Sequence, residues 1–421
     1  MNSTADSLPL PVPEPLSMGA VLRIVPMRRL WYAQIVSVFG DFVALFAVMT
    51  IITFRLHATP QQITSLQIAY MLPIALLGVV SGVFVDRWPL KLTLVASDGI
   101  RAALILLLLF VHSLWGYYLV LAAVSVVSSV FGPAQGVAVR SFVPPHGMRS
   151  AQALLQQVMF VMRVVGGPIA ALLLAYFPPK VCFVADSLTF VVSGLLMASL
   201  AMTAVAPAPA SAKDTGKLVR IGSDMQQGIS FIFHHAALLF VITAMSAGMF
   251  IMGCFGPLIA VYVRDTLHAS TRTFGVASAM IGVGIMAGIN ILNAAAKRLN
   301  NAVQVYGGLI GLAVGTLLLA LLPQIAVTIF SLLLIGFAVA GIIVPAQTMI
   351  QEETPHSMLG RVGSTVMSVI FTAQIAGLLL SGLLANHMGV RQVFGVCSAM
   401  LIVLVVAGKL WMEPDSSRPA V

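Results

Sequence analysis

Long apolar runs follow one another through nearly the whole chain, and few charges interrupt them. An α-helix needs roughly 20 mostly apolar residues to cross about 30 Å of hydrocarbon. Charged residues make up 8% of the 421, against about 25% in a typical soluble domain. The chain therefore has lipid as its solvent, and we predict an all-α membrane protein. The twelve predicted spans are 30–54, 62–85, 92–112, 115–142, 150–176, 180–202, 236–263, 272–296, 303–322, 325–350, 360–386 and 390–411.

The basic residues support an even number of spans. With the N-terminus inside, fifteen Lys and Arg fall in cytoplasmic segments, five fall outside and two fall within spans, which accounts for all 22. Cytoplasmic loops carry such an excess of Lys and Arg. We therefore predict a multi-pass protein of the bacterial cytoplasmic (inner) membrane with both termini in the cytoplasm. The net charge of +9 is scattered between apolar runs, so no basic stripe points to nucleic acid.

The two halves of the chain repeat each other. Pro133-Ala134-Gln135 in span 4 recurs as Pro345-Ala346-Gln347 in span 10, and Gly78 and Gly82 of span 2 recur as Gly284 and Gly288 of span 8. Parallel repeats of six spans predict two bundles related by an axis along the membrane normal, with a site between them near mid-depth.

The repeat sets the predicted domain boundaries. Five segments follow: a disordered cytoplasmic tail (1–29), an N-terminal six-helix bundle (30–202), a cytoplasmic linker with an amphipathic helix (203–235), a C-terminal six-helix bundle (236–411) and a cytoplasmic tail (412–421). Alanine and proline alternate from Ala204 to Ala212, which is typical of a flexible linker. Apolar residues at helical spacing from Leu218 to Ile232 indicate a helix on the inner membrane face.

The loop after span 2 carries a motif known from transporters. Gly82 is followed by Asp86-Arg87 and by a distal Lys91, and this arrangement resembles the signature of the major facilitator superfamily. Ser97-Asp98 with Arg101, Pro133-Ala134-Gln135 and Leu359-Gly360-Arg361 resemble the branch that contains macrolide effluxers and the enterobactin exporter. Gly166-Gly167-Pro168 in span 5 is similar to the antiporter motif, although Ala170 and Ala171 replace its paired glycines.

This resemblance covers roughly residues 30–410 and implies a fold and a mechanism. It implies the major facilitator fold of twelve transmembrane helices, alternating access with secondary energy coupling, and no cofactor. We expect a drug:proton antiporter type of transporter, with a small molecule, protons and the lipid bilayer as its partners.

Charges inside hydrocarbon cost about 2.5–3.5 kcal/mol on insertion scales, so they are functional candidates. Asp41 lies about 17 Å into span 1 at 1.5 Å per residue. Loss of water favours its neutral form and a nearby cation favours its charged form, and this balance suits a proton carrier. Arg163 of span 5 lies at a similar depth. Because helices 1 and 5 are neighbours in the resembled fold, Asp41 and Arg163 are the predicted proton-coupling pair. The alternative is a static, structural salt bridge.

A second group of charges lies nearer the predicted cytoplasmic face. Asp98 and Arg101 are one turn apart near the inner end of span 3 and share a helix face. With Asp86 and Arg87 they form a predicted gating network that latches the bundles. The alternative is that they only set orientation in the membrane. Asp186, near the outer end of span 6, is interpreted as a local structural anion, and a coupling site is the alternative.

Soft and polar side chains within the spans are candidates for the substrate cavity. Seventh helices line the cavity in the resembled fold, and methionine-rich surfaces adapt to varied apolar ligands. Polar side chains there could bind a ligand or bridge helices, and ordinary packing explains the apolar ones equally well. The candidates are Met245, Met249, Phe250, Gln135, Gln347, Asn290 and Gln374.

The predicted function is proton-coupled export of small amphiphilic compounds, such as drugs or drug-like metabolites. A dedicated siderophore or metabolite exporter of the same fold is the alternative, and an importer is a weaker one. An intramembrane enzyme would need a catalytic cluster such as His with Glu on a metal, but the eight histidines lie in loops and at span ends. We therefore predict that the protein is not an enzyme.

Overall fold

A computed structural model describes residues 16–85, 88–200, 230–233, 235–295, 300–355 and 358–412. This described part of the chain is helical throughout and contains no strand. It holds one short helix, α1 (Met18–Arg23), and twelve helices of 18 residues or more. The predicted all-α class is therefore confirmed.

The long helices fall into two sets of six. The N-terminal half contains α2 (Val25–Thr50), α3 (Pro60–Val85), α4 (Leu90–Leu107), α5 (Leu114–Phe142), α6 (Met148–Tyr176) and α7 (Pro179–Ala198). The C-terminal half contains α8 (Ala236–Val261), α9 (Thr271–Ala295), α10 (Asn301–Leu321), α11 (Ile325–Glu353), α12 (Leu359–Met388) and α13 (Val390–Ala407). Each overlaps one of the predicted spans.

Local sequence explains where several of these helices begin. Thr59 and Gln62 cap α3 reciprocally, because each backbone N–H bonds to the other side chain, at 2.9 and 3.3 Å. This is the capping-box arrangement, which satisfies N–H groups that have no partner inside the helix. Ser113 caps α5, and Pro179 occupies the first turn of α7, where its missing N–H costs nothing.

The helices repeat with a constant spacing. Val25 and Ala236 begin α2 and α8, 211 positions apart, and the other five long helices of each half begin with the same spacing. Both first helices end in a π-helical turn, Ile51–Arg55 and Tyr262–Thr266. The predicted repeat of Gly78 and Gly284 does not match this register, because those residues are 206 positions apart.

The same pairs of helices pack in the two halves, although the extent of some contacts differs. In the N-terminal half α2 packs on α6 and α7, α3 on α5, and α4 on α5 and α7. The C-terminal half repeats every one of these pairs six helices later. Between the halves, α6 packs on α9 and α3 packs on α12, which are again equivalent pairs. The halves are therefore parallel repeats related by a pseudo-two-fold axis.

Nine helical segments of the described residues are long and apolar enough to cross a bilayer. Helices α3, α4 and α6 are not among them, and α4 carries Lys91, Asp98 and Arg101 within 18 residues. The number of transmembrane helices therefore stays a prediction. The nine segments are 25–55, 114–142, 179–198, 236–266, 271–292, 301–321, 325–353, 365–388 and 390–410.

Two predicted boundaries differ from the structure. Helix α1 lies within the predicted disordered tail. It forms there because Ser17 caps it and Val21 packs against apolar residues of the N-terminal half. Residues 1–15 lie outside the described residues. Of the predicted amphipathic linker helix only 230–233 are described as helix, and Ile232 there is buried.

Candidate functional site

Four ionisable side chains of the N-terminal half come together from three helices: Asp41 on α2, Asp98 and Arg101 on α4, and Asp186 on α7. We refer to these four residues as the charge cluster. Each carboxyl lies at least seven residues from either end of its helix, which is about two helical turns. The cluster is therefore at mid-depth in the bundle.

Asp98 and Arg101 form an ion pair enclosed by their own half. Arg101 Nη2 donates to Asp98 Oδ1, and Ser193 of α7 donates to Asp98 Oδ2 at 2.7 Å. The guanidinium lies between the rings of Phe131 and Phe190, 4.4 Å from each centroid. Asp98 is 0% exposed and Arg101 is 3% exposed. A buried ion pair offsets its lost hydration only with such additional partners.

Asp186 is as fully enclosed as Asp98, but it has fewer partners. It is 0% exposed, and its carboxyl lies against the backbone of α2 at Gly40, where a Cβ would collide with it. Thr189 donates to Oδ1 at 3.2 Å, but its single hydroxyl proton also faces the Asp186 carbonyl at 2.7 Å. Oδ2 has no hydrogen-bond partner among the described residues.

Asp41 is half-buried and keeps some accessible surface. Arg101 and Asp98 are within electrostatic range of its carboxyl, and Asp186 is as well. The Tyr70 hydroxyl of α3 is also within electrostatic range of Asp41. Gly166, the first glycine of the antiporter-like motif, packs directly on Phe42, next to Asp41. The motif therefore supports α2 at the position of this acid.

The charges of the cluster do not balance. Three carboxyls share one guanidinium, and that guanidinium already pairs with Asp98. Like charges at close range in a poorly hydrated site disfavour simultaneous ionisation. Asp41 and Asp186 are therefore the two groups for which binding a proton would relieve the imbalance.

The C-terminal half packs the equivalent positions without charge. Two matching hydrogen bonds fix which residues of the two halves correspond. Ser187 donates to the Ala102 carbonyl at 3.0 Å, and Ser398 donates to the Ala313 carbonyl at 2.9 Å. In this register Asp41, Asp98, Arg101 and Asp186 correspond to Met252, Leu309, Leu312 and Cys397. Because Leu309, Leu312 and Cys397 are buried apolar residues, the fold itself does not require charge at these positions.

The structure brings only part of the predicted sites together. Arg163 lies on α6, whose Met159 and Gly166 face α2, but its side chain is outside the described side chains, so its pairing with Asp41 stays a prediction. Asp86 and Arg87 also lie outside the described residues. Asp98 and Arg101 are not near the inner end of their helix as predicted, because α4 starts at Leu90 and ends at Leu107.

The predicted cavity residues are spread over five helices. Gln135 donates to Gln34 of α2 at 2.6 Å, and Asn290 donates to the Met286 carbonyl of its own helix at 2.8 Å. Met245 and Met249 line a void of about 10 Å³ between α8 and α11, which is too small for a ligand. Phe250 and Gln374 lie where α8 packs closely on α12, and Gln347 is exposed. The structure does not join these residues into one cavity.

Sequence reasoning missed Tyr70 as a member of the site and preferred a structural role for Asp186 over a coupling role. The equivalent of Asp186 could not be identified from the motif repeats, which are 206 and 212 positions apart. The helices of the structure, 211 positions apart, place Cys397 there.

The family model for the Major Facilitator Superfamily matches residues 30–373 and 249–421. The chain belongs to this superfamily. It is therefore a multi-pass membrane transporter and not an enzyme, as predicted.

Efflux proteins are among the relatives of this superfamily member. Macrolide efflux protein A of Streptococcus pyogenes is 24% identical over 392 residues, which cover 90% of this chain and 93% of the relative. Multidrug efflux pump Tap of Mycobacterium tuberculosis is 22% identical over 419 residues, which cover 94% of this chain and 97% of the relative. The fold is similar to that of a bacterial homologue of the iron transporter ferroportin in its inward-facing state, with a TM-score of 0.68, 15% identity, and coverage of 94% and 100%.

Several contacts between the halves of this major facilitator protein lie at one end of the helices. Arg264, in the π-helical turn after α8, donates to the Thr53 and Ala58 carbonyls at 2.6 and 2.9 Å. Phe274 of α9 stacks on Phe46 of α2 with centroids 4.7 Å apart. Gly382 of α12 packs against Thr64 of α3. The halves are therefore closed together at the end that the charge bias assigns to the outside.

Proposed function

We propose that this transporter exports small amphiphilic compounds by alternating access and takes its energy from protons that move the opposite way. The charge cluster at mid-depth of the N-terminal half is the observation that carries this proposal. Intramembrane ionisable groups are costly, and the C-terminal half packs the same positions with apolar residues. A feature that is costly and not needed for folding points to function.

Asp41 is the proposed proton carrier of the cluster. It is the one carboxyl of the three that keeps accessible surface, and a proton carrier must exchange protons with water at some point in the cycle. Arg101 lies within electrostatic range, and a nearby cation stabilises a carboxylate. A movement that separates the two during the transport cycle would favour protonation of Asp41, and a movement that brings them together would favour proton release.

The substrate class is inferred from the relatives and from the composition of the second half. Relatives aligned over nearly their whole length are named for macrolide efflux and multidrug efflux. Macrolides are amphiphilic, and methionine and aromatic side chains on α8 suit varied apolar ligands. Amphiphilic drugs or drug-like metabolites are therefore the proposed cargo, with Met249, Phe250 and Gln374 as candidate contacts.

The proposed location is the cytoplasmic membrane of a bacterium, with both termini inside. The excess of Lys and Arg in alternate loops supports this orientation, and the relatives named above are bacterial. Asp86 and Arg87, in the loop after α3, remain candidates for a cytoplasmic latch between the halves.

Transport by the purified protein tests this proposal. Proteoliposomes that contain the protein would be loaded with buffer at one pH and diluted into another, and uptake of radiolabelled erythromycin and of a fluorescent amphiphilic dye would be followed. We expect accumulation only with an imposed pH gradient, and its loss when a protonophore collapses the gradient. Accumulation that is unaffected by the gradient and the protonophore would contradict proton coupling.

A further inference from the structure

We propose that Asp186 is a second proton-binding carboxyl, coupled to Asp41, so that the charge cluster exchanges two protons. This inference rests on the proposed proton coupling and extends it from one acid to a pair on α2 and α7. Tested separately, it can fail while Asp41 remains a proton carrier.

The surroundings of Asp186 leave it without compensation for a negative charge. Its side chain is 0% exposed, so water does not solvate it. Thr189 supplies the one hydrogen bond to the carboxyl, and Oδ2 has no partner among the described residues. Burial of an ionised carboxyl without a partner is far more costly than burial of the neutral acid.

Among the described side chains, the neighbouring helices offer Asp186 one cation, and that cation is already paired with another acid. Helix α2 presents Asp41, and α4 presents Asp98 and Arg101. Arg101 is paired with Asp98 and held between two aromatic rings. Helix α6 also touches α7 and carries Arg163, whose side chain is not among those described. Tyr70 of α3, a neutral phenol, lies within electrostatic range as well.

Contact through the backbone couples the two acids. Gly40 precedes Asp41, and the Asp186 carboxyl lies directly against it. Two carboxyls that interact strongly release their protons as a pair, in two steps that belong to both. When Asp41 binds or loses a proton, the balance at Asp186 must therefore change as well.

The positions of the two acids define an order of proton movement. Asp41 keeps accessible surface, whereas Asp186 is fully enclosed behind it. A proton from water reaches Asp41 first and then passes to Asp186, and release runs in reverse. In the first step the Asp41 carboxylate takes a proton from water and becomes a neutral acid. In the second step the Asp41 acid gives that proton to the Asp186 carboxylate and becomes a carboxylate again, which can then take a second proton from water.

Cys397 provides the argument against a purely structural role. It occupies the position of Asp186 in the second half, and the matching Ser187 and Ser398 hydrogen bonds fix that correspondence. The C-terminal half therefore packs α13 on α10 and α8 with a buried thiol, without an acid. The contact of α13 with α8 is smaller than that of α7 with α2, but the contact of α13 with α10 matches that of α7 with α4 and forms without an acid at this position.

Infrared difference spectroscopy of the purified full-length protein tests the inference without any substrate. The protonated-carboxyl band would be compared between mildly acidic and mildly alkaline pH, where exposed Asp and Glu stay ionised. When the pH is raised, we expect the wild-type band to fall by the equivalent of two carboxyls. In Asp41→Asn and in Asp186→Asn the fall should be about half as large. The double variant should show no change, and Asp186→Glu should restore the wild-type band.

The outcomes separate this inference from the proposed function. An unchanged difference band in Asp186→Asn would overturn the second proton site, even if Asp41→Asn abolishes transport driven by a pH gradient. If Asp186→Asn does not fold, Asp186→Cys copies the residue of the second half, and the same band is compared. A full two-carboxyl band in Asp186→Cys would overturn the inference equally.

Discussion

The two halves provide their own reference for the Asp98–Arg101 ion pair. In the C-terminal half Leu309 and Leu312 occupy these positions and are fully buried. Arg101→Leu leaves Asp98 buried without its cation, and Asp98→Leu leaves Arg101 without its carboxylate. Removal of one partner of a buried pair costs about 3–5 kcal/mol, because the other charge stays uncompensated. We therefore expect both single variants to be strongly destabilised.

The double variant Asp98→Leu/Arg101→Leu should regain most of that loss. Replacement of a whole buried ion pair by well-packed apolar residues is often neutral or stabilising, so we expect it to lie within about 1 kcal/mol of wild type. The favourable contacts that disappear are the Ser193 hydrogen bond and the two ring contacts of the guanidinium. A double-mutant cycle isolates the interaction of the pair.

Thermal unfolding in detergent, followed by tryptophan fluorescence, measures the cycle. Both single variants should melt well below wild type, and the double variant should melt close to it while losing transport driven by a pH gradient. A double variant as unstable as the single ones would refute the reasoning, because the pair would then be needed for folding. A stable double variant with wild-type coupling would instead remove the functional role of Arg101.

Three further predictions concern gating and topology. Arg264→Ala removes two charge-assisted hydrogen bonds across the halves, each worth about 1.5–3 kcal/mol. It should raise the labelling of outward-facing cysteines by impermeant maleimide about tenfold or more. Arg391→Ala, whose bonds stay within the second half, should not raise it. Equal labelling in both variants would contradict a role for Arg264 in holding the halves closed. Single cysteines at Asp214 and His268 should label from opposite sides of the membrane, and labelling of both in intact spheroplasts would contradict the two-halves topology. Asp86→Asn should leave the protein folded but shift its access state, and unchanged transport and cysteine accessibility would exclude a gating role.

Much of the architecture was predictable because lipid imposes it. Spans of about 20 apolar residues and motifs repeated between the halves are readable from one sequence. The observed helices overlap every predicted span, and the superfamily expected from the Asp86-Arg87 loop is confirmed. The constant spacing of 211 positions between equivalent helices is visible only in the structure, because the motif repeats in the sequence give two different spacings, 206 and 212 positions.

The charge cluster was only partly predictable. Spacing along one helix placed Asp98 beside Arg101, and depth in the bilayer singled out Asp41. Which helices touch is a property of the tertiary fold, and no periodicity in the sequence states that α2 and α7 meet at Gly40 and Asp186. Asp98 also lies deeper than predicted, because α4 begins at Leu90, two residues before the predicted start of span 3. Tertiary packing therefore decided the partners, while the sequence indicated the candidates.

Uphill transport by Asp41→Asn tests the central claim most directly. Asparagine mimics an acid that is permanently protonated, so it cannot release a proton as the access state changes. In proteoliposomes with an imposed pH gradient, we expect Asp41→Asn to accumulate no erythromycin, while exchange of erythromycin down its gradient persists. Asp41→Glu should retain accumulation, because it keeps a carboxyl at this position. If Asp41→Asn concentrates erythromycin at wild-type levels, Asp41 does not carry the coupled proton and the proposed mechanism is wrong.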